Sequence, residues 1–289
     1  MTGKEIKISL ILCTVNRKTE VIEFIESLIM QNYTNFELII VDQNLDNRIL
    51  KIVQQHNKLI NIVHVNSIIG LSKARNIGLR HASGSVVGFP DDDCTYSENL
   101  LDNVASYFFN NAGVDFLLGK TIDPVTNLIS AGKIINNHGP IYCSKFGGSS
   151  TSLFINTKLE KIDYFLFDEN FGIGAKFHAE EENDLIIRML NSGKKGTYAP
   201  NELVVFHPSK DSNYSDIGRA KERGFGFGAL TAKHIFTKCG LIYFVNYFMI
   251  RMPISIAIAI MQFNWKKSKY IFHKYLGAYK GFYNFFSNK

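Results

Sequence analysis

Between Ile6 and Phe89, four short apolar runs alternate with segments of helical periodicity, and this alternation constrains the fold more than any other feature of the chain. Ile6–Val15 is rich in β-branched and apolar residues and predicts a buried strand. Lys18–Gln31 places Val21, Ile22, Ile25, Leu28 and Ile29 at helical spacing. Phe36–Val41 predicts a second strand, Asn44–Asn57 a helix, Ile60–Val65 a third strand, Ser72–His81 a helix and Val86–Phe89 a fourth strand. Strand and helix in alternation imply an α/β class, a mostly parallel sheet flanked by helices. Ligands of such sheets bind beyond the carboxyl ends of the strands. Thr14, Asp42 and the triplet Asp91-Asp92-Asp93 all stand at those ends.

Residues 97–110 read as a helix, Asp115–Ile122 as a strand and Glu180–Leu190 as a helix that stops near Gly193. The segment between the last two is irregular and rich in Gly, Asn and Ser. With no internal repeat or low-complexity linker, residues 1–222 read as one domain. Charge separates the remainder: the last acidic residue is Glu222, and ten Lys/Arg follow without an acid. Residues 1–222 hold 22 basic against 26 acidic residues and sum to −4, so the positive net charge of the chain, +6, comes from the +10 of residues 223–289. Cys13, Cys94, Cys143 and Cys239 show no CxxC or zinc-type spacing, and are expected as reduced thiols on the cytosolic side. Ile6–Cys13 is too short for the apolar core of a signal peptide.

Three carboxylates directly after a buried strand supply hard oxygen ligands, the chemistry that suits Mg²⁺ or Mn²⁺ bridging a substrate diphosphate. Alternate residues of an extended segment share a side, so Asp93 and then Asp91 are the expected metal ligands, and Asp92 is left for a ribose or sugar hydroxyl.

The order of motifs resembles the inverting family-2 glycosyltransferases of GT-A fold. The matching segments are Ser9–Arg17, Glu37–Asp42, Gly70–Gly78, the three aspartates in the place of a DXD motif, Phe167-Asp168-Glu169, Glu181–Leu185 and His207. The resemblance implies a Rossmann-like, nucleotide-diphospho-sugar transferase fold. It also implies a nucleotide-diphosphate sugar donor, UDP-linked as the commonest case, and a divalent metal. It places Asp42 on the nucleobase, Thr14 and Asn16 in the donor pocket, Arg75 and Lys73 near base or diphosphate, and His207 in the metal shell. The family pattern Glu-Asp-x-Asp-Leu puts the general base at the second position, here Glu182, one methylene longer than aspartate; Glu181 stays open as the base. Asp184 and Arg188 stand four residues apart and predict a helical ion pair.

Residues 223–289 hold 17 of the 37 aromatic residues. Leu241–Phe263 is apolar enough to consider as a span, but Asn246, Arg251 and Pro253 interrupt it and Lys flanks both ends. Helices lying on an anionic cytoplasmic leaflet are the preferred reading over a single span, and no nucleic-acid motif is present. A lipid-linked glycan acceptor, in cell-surface polysaccharide biosynthesis, fits such a location. The competing functions are transfer directly to a polyprenyl phosphate, nucleotidyl transfer, and a non-catalytic sugar-nucleotide-binding scaffold.

Overall fold

The computed structural model describes residues 6–131, 138–144, 148–158, 162–209 and 214–287. They form two compact units. The first comprises Met1–Ile141, Phe146–Phe167 and Lys194–Ser209; the second comprises Tyr142–Lys145, Asp168–Gly193 and Lys210–Lys289.

The first unit opens with β1 (Ile8–Thr14), α1 (Thr19–Ile29), β2 (Phe36–Asp42), α2 (Arg48–His56), β3 (Ile62–Asn66), α3 (Leu71–His81) and β4 (Val86–Gly88). It continues with β5 (Thr95–Tyr96), α4 (Leu100–Asn110), β6 (Phe116–Leu118), β7 (Lys120–Ile122), β8 (Ile129–Ala131), β9 (Gly139–Pro140), β10 (Leu153–Asn156), β11 (Gly196–Tyr198) and β12 (Val204–Phe206). Eight strands form a mixed sheet in the order β3-β2-β1-β4-β10-β6-β11-β9, and β5-β12-β7-β8 form a smaller one. β3, β2, β1 and β4 are mutually parallel.

Both faces of the parallel half are covered, so its strands are almost continuously apolar. Ile8, Leu10 and Leu12 of β1, with Leu38 and Ile40 of β2, share a buried cluster with Phe24 and Leu28 of α1 and Leu101, Val104 and Phe108 of α4. On the other face α3 lies so close that a methyl group at Gly78 would overlap the Ile11 side chain. At the amino end of the sheet, Glu37 is fixed by Lys7 (2.7 Å), Ser9 (2.6 Å) and the backbone N–H of Ser83 (2.8 Å). That end is locked, and the carboxyl end is left for ligands.

The single strand expected over Asp115–Ile122 is two. β6 pairs in the large sheet and β7 in the small one, with the chain changing sheets at Gly119, where a side chain would collide with Leu203.

The second unit contains α5 (Glu181–Asn191), α6 (Ile217–His234), α7 (Lys238–Tyr243), a π-helical stretch (Phe244–Arg251), α8 (Met252–Met261) and α9 (Trp265–Ser287). The boundary expected after residue 222 falls inside α6, because α6 and α9 pack along one another. They approach through small residues: a methyl at Gly224 or Gly228 would overlap backbone of Lys274 or Ala278, and one at Gly277 or Gly281 would overlap Lys221 or Phe225. The cysteines correct a second expectation. Cys143 and Cys239, 96 residues apart, are joined by a disulfide, while Cys13 and Cys94 are free thiols. Cys143 lies in a turn and Cys239 in α7, so only tertiary structure brings the pair together, which no local spacing could announce.

Gly228→Ala is expected to lower the unfolding free energy by about 3 kcal/mol through overpacking of the α6–α9 crossing. Gly113→Ala, which meets nothing within 4 Å, is expected to change it by less than about 0.5 kcal/mol. Urea denaturation followed by circular dichroism distinguishes the two.

Candidate active site

The order β3-β2-β1-β4 switches direction between β1 and β4, and the segment beyond β4 continues parallel to β1 through a bridge between Cys13 and Asp91. All three aspartates of the triplet are thereby held at the carboxyl end of the sheet. Ligand atoms of Asp91, Asp93 and His207 lie within 4.8 Å of one another. His207 follows directly on β12, and its Nε2 stands 3.0 Å from Asp93 and 3.8 Å from Asp91. The alternation expected for Asp91 and Asp93 is present: both face the same imidazole.

Asp92 points elsewhere. It accepts a 2.7 Å hydrogen bond from Thr14 Oγ1 and pairs with Arg17 Nη1 at 3.0 Å. Arg17 Nη1 also reaches Asp93 at 2.6 Å. Arg75 is buried, with Nη2 donating to Ser150 Oγ at 2.7 Å and facing Asp91 at 3.4 Å, and its guanidinium lies 5.3 Å from the Phe167 ring centroid. It braces Asp91 from within the protein. Lys73, on the same helix, is exposed.

The charges divide unevenly. Burial pushes Asp92 up to about 6, with Asp93 and Asp91 adding to the rise and Thr14 and Arg17 opposing it. Burial also works against ionised Asp93, but His207 and Arg17 outweigh it and hold that carboxyl well below the usual range. His207 is lowered by burial and raised more strongly by Asp93 and Asp91, for a net rise. Its Nδ1 is buried with no hydrogen-bond partner among the described residues. Two carboxylates and an imidazole converging in this way fit a hard divalent cation, for which neutral His207 offers the nitrogen it now turns toward Asp93.

Asp42 ends β2 beside this cluster. Its Oδ1 accepts from Asn44 N–H (2.9 Å) and Asn44 Nδ2 (2.7 Å), and its Oδ2 lies 3.1 Å from His64 Nε2. Asn44 in turn accepts from the N–H of Asn16, which sits at φ 61°. Asp42, Asn44, His64, Asn66 and Ser67 line a cavity of about 580 Å³. Arg17 and His64 have no role in the sequence reading. Arg17 lies inside the first motif segment, and His64 is one polar residue among others in and beside the third strand, with no signal to single it out.

In the second unit, Glu180 caps α5 at φ 75°, a conformation that costs a non-glycine residue energy. Glu181 is buried and Glu182 half-buried, with Asn183 donating to Glu180 (2.9 Å) and Glu182 (3.3 Å). Asp184 is fully buried and surrounded by cations: Lys233 Nζ at 2.6 Å, His234 Nε2 at 2.7 Å and Arg188 Nε at 3.0 Å. Burial disfavours its charge, but His234, Lys233 and Arg188 together hold the carboxyl below its ordinary value. The predicted pair with Arg188 is present, and the ties to α6 are added to it. Lys233 also reaches Asp168 at 2.7 Å.

The depressed carboxyl of Asp184 stabilises the fold fully above its unfolded value near 3.8, and that contribution is lost as pH falls below it. Asp184→Asn is therefore expected to cost about 3 kcal/mol near neutral pH and to flatten the acid limb of stability below about pH 4. Denaturant titrations across that range read both.

Residues 9–146 match the family described as Glycosyl transferase family 2. The chain is 25% identical over 220 residues to an uncharacterized glycosyltransferase of Haemophilus influenzae, spanning 72% of this chain and 71% of that protein. It is 27% identical over 174 residues to the UDP-Glc:alpha-D-GlcNAc-diphosphoundecaprenol beta-1,3-glucosyltransferase WfgD of Escherichia coli, spanning 55% of this chain and 68% of WfgD. Its fold matches that of the mannosyltransferase PcManGT from Pyrobaculum calidifontis, solved with GDP-Man and Mn²⁺, at a TM-score of 0.66 and 14% identity over 96% of this chain and 87% of that one. Residues 9–146 form a domain of glycosyl transferase family 2, and the protein is a glycosyltransferase of GT-A fold.

Proposed function

We propose that this glycosyltransferase is metal-dependent and inverting, and moves a sugar from a UDP-linked donor to a hydroxyl of a lipid-linked glycan in cell-surface polysaccharide assembly, at the cytoplasmic face of the membrane. The observation that carries this reading is the convergence of Asp91, Asp93 and His207 at the carboxyl end of the sheet. WfgD, by its name, takes UDP-Glc and a diphosphoundecaprenol-linked acceptor, and PcManGT binds Mn²⁺, which supports the choice of donor, acceptor and metal.

Asp91, Asp93 and His207 would hold Mg²⁺ or Mn²⁺, which neutralises charge on the departing nucleoside diphosphate. The cavity beside Asp42 receives the nucleobase, with the carboxylate accepting an imino hydrogen bond in competition with Asn44. Thr14, hydrogen-bonded to Asp92, and Asn16, whose N–H donates to Asn44, complete the donor site beside that cavity. Asp92 and Arg17 keep the nucleotide side of the triplet fixed, and Arg75 positions Asp91. Exposed Lys73 is a further cation for the diphosphate.

Glu182 is the base that takes the acceptor proton as the hydroxyl attacks the anomeric carbon. Residues two apart on a helix lie about 200° apart around its axis. Glu182 therefore faces away from buried Asp184, whereas Glu181, three before Asp184, shares its inward side and is itself buried. An α-linked donor would yield a β-glycoside.

Isothermal titration of uridine, guanosine and thymidine diphosphates is expected to show UDP binding that requires Mn²⁺ and falls roughly 10–100-fold or more in Asp93→Ala. Metal-independent binding, or equal binding by the variant, would overturn the metal assignment. Steady-state kinetics on Glu182→Gln are expected to show kcat reduced roughly 10²–10⁴-fold with little change in donor KM, and Glu181→Gln a smaller loss. Full activity in Glu182→Gln would favour an already ionised polyprenyl phosphate as acceptor.

A further inference from the structure

Lys238–Met261 is one continuous helix, long and apolar enough by composition to cross a membrane. Its burial pattern argues against crossing. Cys239, Tyr243, Tyr247, Phe248 and Ala259 are buried within the helical unit. Cys239 is also bonded to Cys143, and Asn246 Nδ2 donates to the Ser144 carbonyl at 3.0 Å. One side of its first three turns, Lys238–Phe248, is committed to protein, and beyond them Ala259 alone is buried. Beyond Phe248 only residues 249–261 remain, and at 1.5 Å per residue they reach about 20 Å. The hydrocarbon core of a bilayer is about 30 Å thick.

The opposite side carries an exposed apolar stripe: Leu241, Val245, Met249, Ile254, Ile258 and Met261. The spacing is four residues except for five between Met249 and Ile254 and three at the end. The longer step falls at the π-helical stretch, whose wider turn keeps the stripe in line. α9 is built the same way. Ser268, Gly277, Ala278 and Gly281 are buried, the three glycine and alanine positions against α6. Trp265, Phe272, Leu276, Tyr279, Tyr283 and Phe286 are exposed, spaced by seven and then alternately four and three residues, which puts them on one face.

Charge selects the occupant of these stripes. Lys238, Arg251, Lys266, Lys269 and Lys280 are exposed around them, and no acidic residue follows Glu222. A second copy of the same surface would set cation against cation. An anionic bilayer surface supplies both the apolar boundary and the countercharge. We propose that the helix Lys238–Met261 and α9 form a two-helix platform that lies in the plane of an anionic membrane, with both apolar stripes at the boundary of headgroups and acyl chains, and does not span it. The platform deepens the membrane-surface location given above and is independent of the donor chemistry.

Trp265 is the only tryptophan of the chain and sits at the start of the α9 stripe, so its fluorescence reports on the platform directly. The full chain would be titrated with vesicles of phosphatidylglycerol and phosphatidylcholine, and with phosphatidylcholine alone. The expected result is a blue shift with anionic vesicles, an affinity falling roughly fivefold for each of Lys266→Ser and Lys269→Ser, and further weakening in Phe272→Ser/Tyr279→Ser. Nitroxide quenchers attached near the headgroup are expected to quench more strongly than quenchers near the acyl terminus. An unchanged emission in protein shown to be folded by circular dichroism would overturn the proposal, as would equal response to neutral vesicles or stronger quenching from the deep probe. A shift that follows protein concentration without lipid would assign the surface to a second copy instead. UDP binding measured on the same samples separates failure of the platform from failure of the donor site.

Discussion

Three adjacent carboxylates repel one another by about 4 kcal/mol for each pair that comes within roughly 4 Å at a protein-like dielectric, and the arrangement at the carboxyl end of the sheet follows from how that repulsion is relieved. Each aspartate has a different partner. Asp91 faces Arg75 of α3, Asp92 is held by Thr14 of β1 and by Arg17, and Asp93 is shared by Arg17 and His207. The partners come from three separate stretches of chain, so the triplet after β4 is compatible with folding only when β1, α3 and β12 all reach the same end of the sheet. Asp92 is the least relieved: burial, with a smaller push from Asp93 and Asp91, raises its carboxyl to about 6 despite Thr14 and Arg17. Such a cluster keeps a standing preference for a further positive charge, and the two members it leaves facing His207 are the two with the geometry to bind one.

The parallel half of the sheet was legible because one physical rule governs it. Strands covered on both faces are apolar throughout, helices covered on one face are apolar every three to four residues, and the turns between them carry the polar residues that end up at the site. That rule located Thr14, Asp42 and Asp91–Asp93 and their common crevice. The roles of Asn16, Lys73, Arg75 and His207 came from the resemblance, as did those of Glu181 and Glu182, since spacing alone does not connect residues 75, 182 and 207.

What was not legible has identifiable causes. Arg17 is a lone cation in a loop, and only the placement of β4 against β1 brings two aspartates to it. His64 alternates with apolar neighbours, as an ordinary exposed strand residue would, until β3 pairs with β2 and sets it against Asp42. The break at Gly119 is a change of sheet within a run whose residue types all favour strand. Cys143 and Cys239 lie 96 residues apart, and their disulfide depends on tertiary packing that thiol spacing does not encode.

The acidic start of α5 admits two physical accounts, and they differ in what they require of Asp184. Carboxylates in a first helical turn are favoured by the unpaired N–H groups there, whichever way they point, and need no partner elsewhere. Asp184 goes beyond that need: it is fully buried, and α6 delivers both Lys233 and His234 to it. A buried carboxylate with several cations contributes little net stability compared with an apolar residue of the same size. Its effect is to fix the rotation of α5 about its own axis, because any other rotation strands a charge. Fixing that rotation fixes Glu182 on the opposite side, two residues earlier, next to Glu180, which caps the helix at φ 75°. A charged anchor facing inward and a half-buried carboxylate facing outward are what a positioned general base requires, and a helix cap alone requires neither.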